Sequence, residues 1–121
     1  MIKLMGTAYR RDDFSPQDFI RYWNEVHAPI SGKVPGLRGY VVSEVVDKLT
    51  GDLDADAFVE LWWDDMESFQ RASESPEQAA AWADVGNYAK TTGTFWVVRE
   101  HVQIAPQFTA PGRLEKKATP E

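Results

Sequence analysis

Residues Phe14–Ile30 read F-S-P-Q-D-F-I-R-Y-W-N-E-V-H-A-P-I. The stretch carries the start and stop signals of a helix. Ser15 suits an N-cap and Pro16 the first helical position, and Asp18 stands three residues after the serine, where a capping acid belongs. Phe14, just before the cap, is placed to pack on Phe19 as a hydrophobic staple. Phe19, Ile20, Trp23, Val26 and Ile30 form the apolar face. His27 lies on the same stripe, four residues after Trp23 and eight after Phe19. Pro29 disfavours helical geometry at Ala28, so the regular helix is expected to stop near His27.

Outward from this helix the pattern is strand, helix, strand, then strand, helices, strand. Ile2–Tyr9 alternates with small or apolar residues on both faces and reads as a central strand. Leu37–Lys48 is predicted as a second strand, with Tyr40, Val42, Glu44 and Val46 on one face. The acidic turn T-G-D-L-D-A-D leads back into Ala57–Trp63, A-F-V-E-L-W-W, as an antiparallel hairpin partner. Asp64 or Asp65 opens a helix bearing Met66, Phe69 and Ala72. Ser75-Pro76 repeats the cap-then-proline signal and opens another, with Trp82 and Val85 inward. Thr94–Ile104 is the last predicted strand. This order is the split βαβ, ferredoxin-like arrangement of the α+β class: a four-stranded antiparallel sheet with helices on one face. Residues 1–105 form the expected domain. From 106 to 121 the composition shifts to Pro, Gly and charge, as a flexible tail or one draped on a partner subunit.

Composition narrows the function. The 121 residues suffice for one core, and a hydrophobic fraction of 43% with five Trp argues for a folded domain. A net charge of −6 repels phosphate backbones, which argues against nucleic acid. With no cysteine there is no thiolate nucleophile and no Cys-based metal site. The two histidines, His27 and His101, show no ligand spacing, so no metal is expected. The N-terminal stretch lacks the order of a secretory signal and no run approaches a membrane span, so the expected location is cytoplasmic. The predicted strands are apolar on both sides, whereas helices cover only one. Phe58 and Trp62 oppose Val59, Leu61 and Trp63 in the third strand, and Trp96 and Val98 oppose Phe95 and Val97 in the fourth. Such a face calls for a second copy of the chain, hence a homodimer.

The capped helix with its F-x-x-Y-W ladder (Phe19, Tyr22, Trp23), its H-A-P end (His27–Pro29) and the following V-P-G-L-R-G-Y-V-V (Val34–Val42) resembles the signature half of the EthD family. The resemblance implies a dimeric α/β barrel with a ligand cavity between helices and sheet, and chemistry without metal or organic cofactor. It aligns His27 with the family's helix-end histidine and Tyr40 with its strand-two tyrosine. Related lactone isomerases, such as methylmuconolactone methylisomerase, also use a cysteine, which this chain lacks.

His27 therefore has two readings. It is either an acid–base group facing a pocket or a core imidazole that fixes the helix end by bonding a carbonyl of the Val34-Pro35-Gly36 loop. Tyr40 either orients a substrate oxygen or packs as a cross-strand aromatic. Trp23, Trp62, Trp82 and Glu44 are the candidate substrate contacts. Arg99 and His101 are expected to pair with Glu44 or Glu60 as structural ion pairs. The functional expectation is a cofactor-independent enzyme with a His27/Tyr40 pair: an isomerase, lyase, decarboxylase or cofactorless oxygenase. Its substrate would be a small apolar metabolite, aromatic or lactone-like. The alternative is a non-catalytic accessory protein that binds such a compound.

Overall fold

In the computed structural model, which describes residues 1–107, four strands build one antiparallel sheet. They are β1 (Ile2–Ala8), β2 (Gly39–Glu44), β3 (Ala57–Trp63) and β4 (Phe95–Arg99), in the order β2-β3-β1-β4. The helices follow as α1 (Pro16–Tyr22), a π-turn (Trp23–His27), α2 (Ala28–Ser31), α3 (Met66–Ser73) and α4 (Pro76–Val85). The expected ferredoxin-like order is present. Leu4 sits opposite Leu61 and Val97, and Ala8 opposite Ala57. The buried face of β3 is Ala57, Val59, Leu61 and Trp63, and it forms the core with Leu4, Phe19, Trp23, Val34 and Tyr88.

Local chemistry sets most boundaries. Ser15, Asp65 and Ser75 each accept a hydrogen bond from the backbone N–H three residues on, which caps α1, α3 and α4. The Phe14 ring meets Tyr22 edge-on at 6.1 Å, one turn beyond the Phe19 contact expected from the staple pattern. Strand β4 ends at Arg99, short of Ile104, because Arg99 pairs with Ile2 and β1 offers nothing further to pair with. Strand β2 is confined to Gly39–Glu44, with one further bond to the β3 side at each end, from Arg38 N–H to the Trp62 carbonyl and from Val45 N–H to the Asp56 carbonyl. His101 lies off the ladder, and Lys3 takes the ion-pair role assigned to Arg99 and His101. Its ammonium lies 2.7 Å from Glu60 and 3.0 Å from Glu100 on the outer sheet face. The tail lies outside the described residues from 108 onward.

The first helix corrects the sequence reading most. It does not stop at His27: Ala28 is helical (φ −61°, ψ −38°) and the chain continues to Ser31. A π-turn precedes Pro29, and Ala28 N–H reaches back to the Trp23 carbonyl. The widened turn has already interrupted the α ladder, so the proline's missing N–H and bulky ring are accommodated there. It also changes the buried face. Phe19, Trp23, His27 and Ser31 are buried at a spacing of four, while Val26 is exposed. In a regular α-helix that spacing drifts by about 40° per step. The π-turn offsets the drift and keeps all four side chains on the sheet.

Gly93 sits where the loop into β4 crosses β1. A Cβ there would stand 2.4 Å from the Thr7 carbonyl oxygen, which is backbone and cannot yield. Gly93→Ala is expected to lower stability by about 1–3 kcal/mol in urea unfolding. An unchanged midpoint would contradict the close crossing at Thr7.

Candidate functional site

A cavity of about 200 Å³ opens between the helices and the sheet. Leu4, Val59 and Leu61 line it from the sheet, and Trp23, His27 and Ser31 from the first helix. Ala81 and Val85 of α4 and Tyr88 complete the inner wall. The exposed lining residues Trp82, Lys90, Thr91 and Phe95 mark its mouth, where the rings of Trp82 and Phe95 meet edge-on at 4.9 Å. The volume holds about one substituted aromatic ring, since about 150 Å³ accommodates benzene.

His27 is buried at the back of this space. Its Nδ1 lies 2.9 Å from Oδ2 of Asp84, a residue of α4 that is itself buried. Asp84 Oδ1 accepts from the Tyr22 hydroxyl at 2.8 Å and from Asn87 Nδ2 at 2.9 Å. Burial pushes the Asp84 carboxyl up, but the bonds from Asn87, His27 and Tyr22 together outweigh it and hold the group below the usual carboxylate range. An ionised carboxylate only accepts, so His27 Nδ1 carries the proton and Nε2 is left with its lone pair. Nε2 makes no hydrogen bond among the described residues, and the ring lines the cavity. Burial lowers the imidazole pKa below its ordinary 6.5, against the opposing pull of Asp84, so the ring is neutral at pH 7.

Tyr40 lies on the same cavity in a different network. Trp23 Nε1 donates to the Tyr40 hydroxyl at 2.9 Å, the Ser31 hydroxyl lies 2.6 Å from it, and Ser31 bonds the His27 carbonyl at 3.1 Å. An indole N–H only donates and a carbonyl only accepts, so the chain runs one way: Trp23 to Tyr40 to Ser31 to the His27 carbonyl. Tyr40 is thus linked to His27 through Ser31 and the backbone carbonyl. Burial raises its pKa despite these bonds, so it is a neutral phenol whose proton is already committed.

Of the other expected contacts, Trp23 and Trp82 line the cavity, whereas Trp62 and Glu44 do not. Trp62 projects from the outer face of β3, where its indole N–H donates to Glu100 at 2.8 Å and Lys3 stands over its ring. The alternation of β3 requires this, because Leu61 and Trp63 take the helix side. Glu44 is the last residue of β2 and is exposed. Sequence reasoning missed Asp84 and assigned no role to Tyr88. Asp84 shares a helix face with Ala81 and Val85, and an acid on an otherwise apolar face was the available signal. Among the described residues no group of three His, Asp or Glu is placed to hold a metal ion, and no helix is long and apolar enough to cross a membrane.

Comparison with known proteins bears on the family and the fold. The family model described as EthD domain matches residues 11–92, which include His27, Tyr40, Asp84 and Tyr88. None of the curated proteins compared matches. Among solved structures, an EthD family protein from Bacillus halodurans is 30% identical, with a TM-score of 0.71 over 84% of this chain and 99% of its own. A dimeric protein of ferredoxin-like fold from Bacteroides fragilis matches at 13% identity and TM-score 0.60, over 82% of this chain and 95% of its own. SnoaB, a cofactor-independent oxygenase from Streptomyces nogalater, matches at 14% identity and TM-score 0.59, over 85% of this chain and 97% of its own. The last two likenesses concern fold alone.

The His27 geometry has a pH signature. The imidazole should titrate below 6.5 by NMR, and Asp84→Asn should lower it further because the carboxylate is what pulls it up. The unfolded chain protonates this ring near pH 6.5 and the folded chain only at lower pH. Stability should therefore rise with pH through the window below 6.5, and His27→Gln should flatten that slope. A His27 midpoint above 6.5 would contradict the burial described.

Proposed function

The chain belongs to the EthD family, and on that premise we propose that it is a small cofactor-independent acid–base enzyme acting on an apolar, aromatic or lactone-like compound. One observation carries the reading: His27 turns an unpartnered Nε2 lone pair into an apolar cavity while Asp84 holds Nδ1. A neutral imidazole fixed in this tautomer is a general base at pH 7. The positive charge it gains on taking a proton is stabilised by the carboxylate 2.9 Å away. Tyr40 positions Trp23 and Ser31 on the cavity wall, and its hydroxyl oxygen retains a lone pair for a substrate donor. Trp23 and Trp82 supply aromatic walls.

The proposal includes a homodimer. The outer sheet face carries Val41 and Trp96, which are 45% and 47% exposed in the single chain, beside the half-buried Met5, Phe58, Trp62 and Val98. Large apolar side chains of this kind, set around the paired Lys3, Glu60 and Glu100, are matched best by the same face of a second copy across a two-fold axis. The dimeric relative of the same fold supports this reading.

Purified protein incubated with a panel of phenols and lactones, followed by mass spectrometry, tests the chemistry. Turnover should fall about 10²–10⁴-fold in His27→Gln, the range of a lost general base. Binding of a panel member without turnover in the wild type would instead favour an accessory binding protein. Full turnover in His27→Gln would remove the histidine from the chemistry. Separately, Trp96→Glu should convert a dimer to a monomer in sedimentation velocity, and a persistent dimer would place the interface elsewhere.

A further inference from the structure

Tyr88 is the centre of the aromatic cluster behind the cavity. Its ring stacks on Tyr22 at 4.9 Å and meets Phe19 at 5.6 Å, Trp23 at 5.3 Å and His27 at 4.9 Å. The residue is 1% exposed and lines the cavity. Its hydroxyl makes no hydrogen bond among the described residues, yet it is not sealed from solvent-sized space. The neighbouring polar groups on the inner wall are committed. Tyr22 donates to Asp84, Tyr40 and Ser31 belong to the chain from Trp23, and Thr7 Oγ1 accepts from Thr94 N–H. Besides the lone pair left on the Tyr40 oxygen, two groups of the inner wall that make no hydrogen bond among the described residues remain for a ligand, His27 Nε2 and the Tyr88 hydroxyl. The first offers only a lone pair. The second is a phenol whose ionisation is pushed far up, first by burial and then by Tyr40, Asp84 and Tyr22, so it stays protonated and donates.

We propose that Tyr88 is a catalytic residue that donates its hydroxyl hydrogen bond to the carbonyl oxygen of an enolisable ketone or lactone while His27 Nε2 takes the α-proton. This rests on His27 acting as base. In the step, the α C–H bond breaks and its proton bonds Nε2, giving an imidazolium paired with Asp84. The C–H electron pair becomes the enolate C=C bond, and the carbonyl π pair moves onto oxygen, where the Tyr88 O–H meets the new charge. No oxidant or reductant takes part. The clamp of four aromatic side chains holds the donor in place before the charge develops, which is the condition for such a bond to be worth more in the transition state than in the ground state.

The test is α-proton exchange of 2-indanone in D₂O, followed by ¹H NMR with the full chain. The compound is one aromatic ring fused to a small enolisable ketone, within the size of the cavity. Wild-type protein should accelerate exchange, and Tyr88→Phe should reduce kcat by about 10²–10³ with KM little changed, as for loss of one oxyanion donor. Tyr88→Phe should also melt no lower than wild type, because the hydroxyl has no structural partner to lose. His27→Gln separates the two levels. If it keeps wild-type exchange, the base assignment fails. If it loses exchange while Tyr88→Phe does not, the base stands and the role of Tyr88 is overturned. Absence of exchange in the wild type, or a lowered melting temperature in Tyr88→Phe, overturns the proposal as well.

Discussion

Asp84 accepts hydrogen bonds from Tyr22, His27 and Asn87, and much of the interior is arranged around keeping that carboxylate paired. A buried carboxylate without donors would be destabilising by several kcal/mol. Here its donors come from both sides of the helical layer. Tyr22 and His27 lie on the first helical segment, Asp84 lies in the last turn of α4 and Asn87 just beyond it. The same bonds therefore join two elements whose residues are some 60 positions apart, fix the His27 tautomer and leave Tyr88 clamped beside it.

The π-turn is the second half of that constraint. With regular α geometry through residues 23–27, Ser31 would rotate away from the line that runs through Phe19, Trp23 and His27. With the wider turn, one helix delivers an indole, an imidazole and a hydroxyl to the same cavity. Two polar networks result, and they do different jobs. The Trp23–Tyr40–Ser31 chain ends on the His27 carbonyl and holds the backbone. The Asp84 cluster holds the ring. Apolar walls around both keep the imidazole neutral, the state in which the proposed base works.

Sequence patterns carried the fold further than the site. Alternation alone located β3 to the residue, and the caps at Ser15, Asp65 and Ser75 sit where side-chain chemistry places them. The fourth strand reads longer than it is because its apolar residues continue past the point where β1 has partners. Pro29 looked like a stop because the proline rule assumes an α-helix, and the π-turn removes that assumption. Trp62 reads as a pocket residue because alternation separates two faces without saying which one the helices cover. Asp84 gives only a weak signal, for a related reason. In E-Q-A-A-A-W-A-D it resembles an ordinary solvent-facing acid, and its partners lie on a distant helix.

The central claim is that His27 presents an unprotonated Nε2 to the cavity while Asp84 binds a protonated Nδ1. Imidazole ¹⁵N shifts at pH 7.5, with His101→Gln used to isolate the signal, measure this directly. The structure predicts a pyridine-like Nε2 and a pyrrole-like Nδ1. A pyridine-like Nδ1, or an imidazolium at that pH, would contradict the account.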